Sequence, residues 1–270
     1  MTIPKTITSR DNVVVKRFAA LSRSAPARKR DGKCLLEGEH LAQSYVEHVG
    51  RLEILAIRDN GDAISPSQAR LAAGANEVVR VAAPIFDGLS TLNSPSGVLA
   101  IAATPPTVEL ATSGCVLALD EVQDPGNVGT LIRSAAAAGV AQVWLSSGCA
   151  FAWSVKTLRA AQGAHFHLSV IEQVDLPGAL QAFRGERWAM LPRSLRGVQT
   201  VSLYGATASP DTALVLSNEG HGLSEAIYGV LTRGLSIPMM RGIESLNVAT
   251  AGAIAMFELL RQRSQQAQSA

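Results

Sequence analysis

The chain has 270 residues, of which 47% are hydrophobic, 17% charged and 4% aromatic; this is the make-up of a soluble globular protein with an aliphatic, alanine-rich core, long enough for two domains or one large one. No run approaches the roughly 18 apolar residues of a membrane span, and MTIPKTITSRDN lacks the apolar core of a signal peptide. Cys34, Cys115 and Cys149 are far apart and odd in number, which fits neither a disulfide framework nor zinc-ligand spacing, so a reducing cytoplasm is the expected setting.

The net charge of +2 is unevenly spread. The first 33 residues hold nine of the 24 Lys and Arg but two of the 22 Asp and Glu, a local balance of +7, which leaves −5 for the rest. A basic end on a mildly acidic body points to a polyanion, nucleic acid first; a solubilising tail is the plainer alternative.

In chain order, Ser9-Arg10-Asp11-Asn12 starts a helix through Val13 to Leu21. Lys16, Arg17 and Arg23 fall on its exposed side, followed by Arg28, Lys29, Arg30 and Lys33. Such residues neutralise phosphates without reading sequence. A short strand at Cys34–Leu36 and a helix from His40 to His48 follow. Leu52–Ile57 reads as a strand, Ser67–Ala73 as a helix stopped by Gly74, Val78–Val81 as a strand, Ile85–Leu89 as a short helix and Gly97–Ala102 as a last strand. Strands and helices alternate in a small α/β unit. His40 and His48 read as helix-surface residues. Thr104-Pro105-Pro106-Thr107 is a hinge stiffened by two prolines, so the expected domains are 1–104 and 107–270.

Cys115–Leu119 is a compact strand, DEVQDPGN a polar loop, and Val128–Ala138 a helix, with the next strand from Val143. A right-handed parallel crossover is the default for this unit. Asn127 suits a helix cap. Arg133 lies beside Ser134 and four alanines, where a guanidinium wants a buried anion or carboxylate. The glycines do not form GxGxxG and no GK[ST] occurs, which weighs against a dinucleotide or ATP enzyme. Ser154–Gln162 reads as a helix carrying Lys156 and Arg159. His165–Val170 alternates like a strand; His165 and His167 would share a face, but no third ligand is apparent, so no metal is expected. A helix at Leu176–Phe183 and a strand at Trp188–Leu191 continue the pattern.

Thr212–Ser217 is another buried strand, leading into Asn218-Glu219-Gly220-His221-Gly222. Leu235–Met239 is a short strand, followed by a loop with Arg241, Gly242, Glu244, Ser245 and Asn247, and then a helix with apolar residues on two sides, one that several neighbours bury. Polar loops between buried strands and helices are where α/β proteins place ligands. Ser245 or Asn247 could equally be an N-cap.

Three stretches together, DEVQDPGNVGTLIRSAAAAG, LVLSNEGHGLS and IPMMRGIESLNV, resemble the three motifs of the SpoU/TrmH family of RNA 2′-O-ribose methyltransferases. ITSRDN, LLEGEHL and SPSGVLAI resemble the L30e-like substrate-binding domain joined to many of its members. The resemblance covers nearly the whole chain. It implies a C-terminal SPOUT α/β domain with a trefoil knot behind a smaller N-terminal α/β domain, and S-adenosylmethionine as methyl donor. It implies a homodimer acting on structured RNA, in the cytoplasm that the cysteines suggest and, from the lack of a long apolar run, with no membrane partner expected. 23S ribosomal RNA is the expected substrate; transfer RNA, or a non-catalytic RNA-binding protein that keeps the knot, are the alternatives. Carried over, Asn127, Arg133, Glu219, Ser245 and Asn247 are the catalytic set. Ser217, Glu219, Gly220, Ile237, Met239 and Leu246 hold the cofactor. Lys16, Arg17, Arg23, Arg28, Lys29, Arg30 and Arg133 hold RNA. Arg133 would anchor phosphate and stabilise charge while a ribose 2′-oxygen attacks the sulfonium methyl. His221 falls at a position the family leaves variable. The chain departs from the family at Ser217 and Arg241, where glycine is usual; a left-handed backbone at Ser217 would be strained.

Overall fold

The computed structural model describes residues 6–218, 222–243 and 245–269. They pack as two units, Met1–Pro106 with Trp153–Phe166, and Thr107–Ala152 with His167–Ala270. The sequence expects an uninterrupted second domain and gives no sign that Trp153–Phe166 belongs to the first unit.

The first unit is built on β1 (Thr6–Ile7), β2 (Lys33–Glu37), β3 (Leu52–Asp59), β4 (Ala75–Ala82) and β5 (Val98–Ala103), in the order β1-β4-β3-β5-β2. β1, β4 and β3 run parallel, while β5 is antiparallel to β3 and β2. Helix α1 (Val13–Arg23) starts at Asn12, whose Oδ1 accepts from Val14 N at 2.8 Å. Val15, Phe18 and Leu21, spaced three apart, turn its apolar face onto Leu35, Ile54, Ala56, Leu99 and Ile101. Helix α2 (Ala25–Asp31) follows at once and ends on Gly32 in the left-handed conformation. Helices α3 (Glu39–His48), α4 (Pro66–Ala73) and α5 (Ala83–Asp87) complete the unit; α4 opens on a reciprocal capping box between Ser65 and Gln68.

Helix α7 (Val155–Ala161) also belongs here, with Val155 in the same core. The strand expected at His165–Val170 is not formed as such. Ala164–Phe166 is a 3-10 turn, and only Ser169–Ile171 (β8) is extended. Gly163, at φ 87°, turns the chain, and three successive residues are then buried, which alternation forbids. Phe166 packs edge-on to Tyr45 at 5.3 Å, and His165 lies 5.0 Å from Trp153.

The second unit is a seven-stranded, wholly parallel sheet: β6 (Cys115–Asp120), β7 (Gln142–Leu145), β8, β9 (Glu186–Met190), β10 (Thr200–Ser202), β11 (Thr212–Ser217) and β12 (Arg233–Ser236). Its order is β10-β12-β9-β11-β6-β7-β8. The strands are near-continuous apolar runs, as a parallel sheet covered on both faces requires. The last two strands fill gaps between earlier ones: β11 enters between β9 and β6, and β12 between β10 and β9. Helices α6 (Pro125–Ala137), α8 (Leu176–Ala182), α9 (Glu225–Tyr228) and α10 (Val248–Ser269) connect and cover them. The chain reaches especially close contact at Gly252 of α10. A Cβ there would lie 2.5 Å from Leu131 of α6 and 2.5 Å from Leu216 of β11. Among the described residues no helix is long and apolar enough to cross a membrane.

Candidate active site

At the C-terminal ends of β9, β11 and β12 the sheet opens into a cavity of about 290 Å³. That is close to the lower end, roughly 300 Å³, of small-ligand pockets. C-terminal strand ends are where open α/β sheets place ligands. Leu216, Leu235, Ile237, Leu246 and Val248 supply apolar wall, and Ser217, Asn218, Ser236 and Ser245 supply polar groups. The mixture suits a flat aromatic group held by its edge.

The loops around the cavity are tied to one another. Asp120, buried at the end of β6, accepts from Ser224 N through Oδ2 at 2.8 Å, and its backbone carbonyl accepts from Asn218 N at 3.3 Å. One residue therefore grips both ends of the segment from Asn218 to Ser224. Next to it, Glu121 is left-handed at φ 55° and turns the chain towards α6. Helix α6 is capped by Asp124, whose Oδ1 accepts from Asn127 N at 2.9 Å. Asn127 is thus not the cap. Its side chain is left to accept from Asn247 Nδ2 at 3.1 Å. Asn247 is itself the cap of α10, its Oδ1 accepting from Ala249 N at 2.9 Å and Thr250 N at 3.3 Å.

Of the residues expected to hold a cofactor, Ser217, Ile237, Met239 and Leu246 line the cavity, and so does Ser245. Glu219, Gly220 and His221 lie outside the described residues, as does Glu244. Ser217 is the last residue of β11 and keeps extended strand geometry, so the strain expected of a left-handed serine does not arise. The left-handed turn of the last motif falls at Gly242, φ 88°, one residue beyond Arg241, which is exposed. Arg133 differs from its expectation: it is exposed on α6, with no ion pair or hydrogen bond among the described residues. Of the small side chains that follow it, Ala135 and Ala138 are buried while Ala137 is exposed like Arg133 itself.

Sequence reasoning missed a whole wall. Met190, Leu191, Pro192 and Leu195 after β9, and Tyr228 of α9, also line the cavity. Pro192 directly after an apolar strand was the available signal of a turn at a strand end.

In the first unit Lys16, Arg23, Lys29 and Arg30 are exposed. Lys16 pairs with Asp11 at 2.9 Å and Arg30 with Asp31 at 2.8 Å, while Arg17 and Lys33 share Glu53 at 2.5 and 2.7 Å. Arg28 departs from its expectation. It is buried, and its Nη1 donates to the carbonyls of Leu21 and Ser22 at the end of α1. Burial lowers its pKa from the usual arginine value. Arg28 lies seven positions beyond Leu21, and the sharp α1–α2 junction brings the guanidinium back onto the helix end.

The family described as the SpoU rRNA methylase family matches residues 114–257, the span that holds this site. The chain belongs to that family. An MRM3-like substrate binding domain matches residues 12–100. The chain is 32% identical over 255 residues to the 23S rRNA (guanosine(2553)-2′-O)-methyltransferase RlmP of Bacillus subtilis, covering 94% of this chain and 99% of that one. It is 29% identical to the mouse mitochondrial rRNA methyltransferase 3, over 89% of this chain and 70% of that one. Among solved structures, the AdoMet-bound rRNA methyltransferase of Sinorhizobium meliloti superposes with a TM-score of 0.81 at 25% identity, covering 95% of this chain and 97% of that one.

Proposed function

We propose that this chain is an S-adenosylmethionine-dependent RNA 2′-O-methyltransferase acting on ribosomal RNA, 23S RNA first. The observation that carries the reading is the cavity at the ends of β9, β11 and β12, with the Asn127–Asn247 tie beside it. The names of the Bacillus and mouse relatives support the substrate class, and the Sinorhizobium structure supports the cofactor. S-adenosylmethionine would bring a methyl group already activated on a sulfonium. What remains for the protein is alignment and help in removing a proton.

Ile237, Met239, Leu246 and the strand-end backbone at Ser217 would hold the cofactor, with Glu219 and Gly220 beside them. Arg133 is exposed and has no partner among the described residues, which leaves its fork of donors available to a phosphate. We assign it phosphate anchoring and charge stabilisation, the roles for which a planar guanidinium fork is suited. Asn127, Ser245, Asn247 and Glu219 would position it, the ribose and the loops. Lys16, Arg17, Arg23, Lys29 and Arg30 would contact RNA backbone from a substrate-binding domain spanning about residues 1–104, followed by a knotted SPOUT methyltransferase domain over 107–270. Arg28 has no part in this. Homodimerisation is supported by apolar side chains exposed on the second unit, Met240, Ile243 and Phe257. Three free cysteines suit the cytoplasm.

Methyl transfer from labelled S-adenosylmethionine to total ribosomal RNA, with mapping of the 2′-O-methylated position, tests the reading. A labelled 23S ribose is the expected result. Cofactor and RNA binding without transfer would favour the non-catalytic alternative, and transfer confined to transfer RNA would move the substrate.

A further inference from the structure

Leu195, in the wall of the cavity, opens a tight turn. Leu195 N donates to Val198 O at 3.2 Å, and Val198 N donates to Leu195 O at 2.9 Å. Both central residues are left-handed, Arg196 at φ 52° and Gly197 at φ 81°, as a type I′ turn requires. Gly197 adopts this freely, but an arginine at Arg196 does so against its preference. Such an outlier beside a functional cavity calls for a reason. The reason lies on α9. The Arg196 guanidinium sits 5.2 Å from the centre of the Tyr228 ring and pairs with Glu225. Glu225 and Tyr228 are three apart and so present one helix face to it. Tyr228 and Leu195 both line the cavity. Helix α9 is in turn fixed to the sheet through Ser224 N and Asp120, with Ile227 buried beneath it.

We propose that Arg196 is a positioning residue: it latches the turn Leu195–Val198 onto α9, fixes Leu195 and Tyr228 in the cavity wall, and so sets cofactor affinity without touching the cofactor. The proposal rests on the cavity being the S-adenosylmethionine site. Both latch partners are largely solvated, with side chains 50% and 73% exposed, so the ion pair contributes little and the ring contact more.

Calorimetry of S-adenosylmethionine with the full chain tests this. If the wild-type chain does not bind, the reading of the cavity fails and the latch falls with it. If it binds, Arg196→Asn is expected to raise Kd about fivefold, the loss of one cation–ring contact and a weak pair. Asparagine tolerates the left-handed conformation, so the turn keeps its shape and the unfolding temperature stays in place. Arg196→Lys should fall between, keeping the charge and losing the planar fork. In methyl transfer the change should appear in KM for the cofactor, with KM for RNA and kcat unmoved. Unchanged affinity in Arg196→Asn overturns the latch and leaves the cavity's function standing. So does weakening seen only in Arg196→Gly, which would trace the effect to turn flexibility.

Discussion

Asn247 Nδ2 donates to Asn127 Oδ1 at 3.1 Å, joining the start of α10 to the first turn of α6 across 120 residues of sequence. The same Asn247 caps α10 with its other side-chain atom, so one amide performs both tasks. Asn247→Ala removes cap and tie together and should cost about 1–2 kcal/mol in urea unfolding. Asn127→Ala removes the tie alone, because Asp124 is the cap of α6; it should cost under about 1 kcal/mol. Both should lose methyl transfer by more than their stability loss explains. Equal destabilisation by the two would mean that the cap contributes nothing.

Arg133→Ala separates chemistry from fold more cleanly. An exposed side chain with no partner among the described residues leaves nothing behind when it is removed, so stability should stay within about 0.5 kcal/mol of wild type. Cofactor affinity should also hold, since Arg133 does not line the cavity. Transfer should fall by about a hundredfold or more, the typical effect of removing one charge-stabilising donor. Wild-type turnover in this variant would remove Arg133 from the site.

Arg28 and Arg30 look alike in sequence and should behave oppositely. Arg28→Ala strips a buried donor from the carbonyls of Leu21 and Ser22 and should destabilise the first unit by about 2 kcal/mol. Arg30→Ala should leave stability unchanged and weaken RNA binding, with a shallower salt dependence. Paired urea-unfolding and filter-binding measurements distinguish the two roles.

This pair marks where the sequence stops being legible. Apolar runs announced every central strand of the larger sheet, and the resemblance of three motifs to the family singled out Ser217, Ile237, Met239, Leu246, Asn127 and Asn247; that Asn127 and Asn247 bond to each other is visible only in the structure. A charge run carries no record of which of its members folds back, because that is set by the turn between α1 and α2. The cavity wall from Met190 to Leu195 was hidden for a related reason. It joins the site only because β11 and β12 insert beside β9, and strand order is not written in hydrophobic period. The false strand at His165 shows the converse, a two-residue alternation overridden by Gly163 and by burial of three neighbours.

Gly252 tests the packing that carries α10. A methyl group there meets Leu131 and Leu216 at 2.5 Å, and both leucines are fully buried. Alanine favours a helix over glycine by about 1 kcal/mol, so propensity alone predicts a gain. Overpacking a tight core costs about 1–3 kcal/mol and should win. Gly252→Ala is therefore expected to lower the unfolding midpoint. It should also weaken cofactor binding, since Leu216 lines the cavity.

Acid should loosen the same helix further along. The Arg261 guanidinium holds Glu258 in a two-pronged contact at 2.7 and 2.8 Å, and Gln262 donates to the same carboxylate at 2.7 Å. The hydrogen bonds from Arg261 are the main reason that the carboxyl is held down to about 2; partial burial opposes them, and Gln262 and the positive charge add to them. A carboxyl lowered on folding stabilises the native state above its unfolded pKa, near 4.5, and that contribution is lost as pH falls from there towards 2. Gln262 also bonds Ala206 and Ala208, so the loss reaches the packing of α10 on the loop before β11. Urea unfolding of wild type and Glu258→Gln between pH 7 and pH 3 measures this. The wild-type advantage should be constant above about pH 5 and shrink below it. Because Arg261 is half exposed, salt should reduce the advantage at neutral pH as well. An advantage that is independent of pH would mean that the pair holds no proton-linked stability.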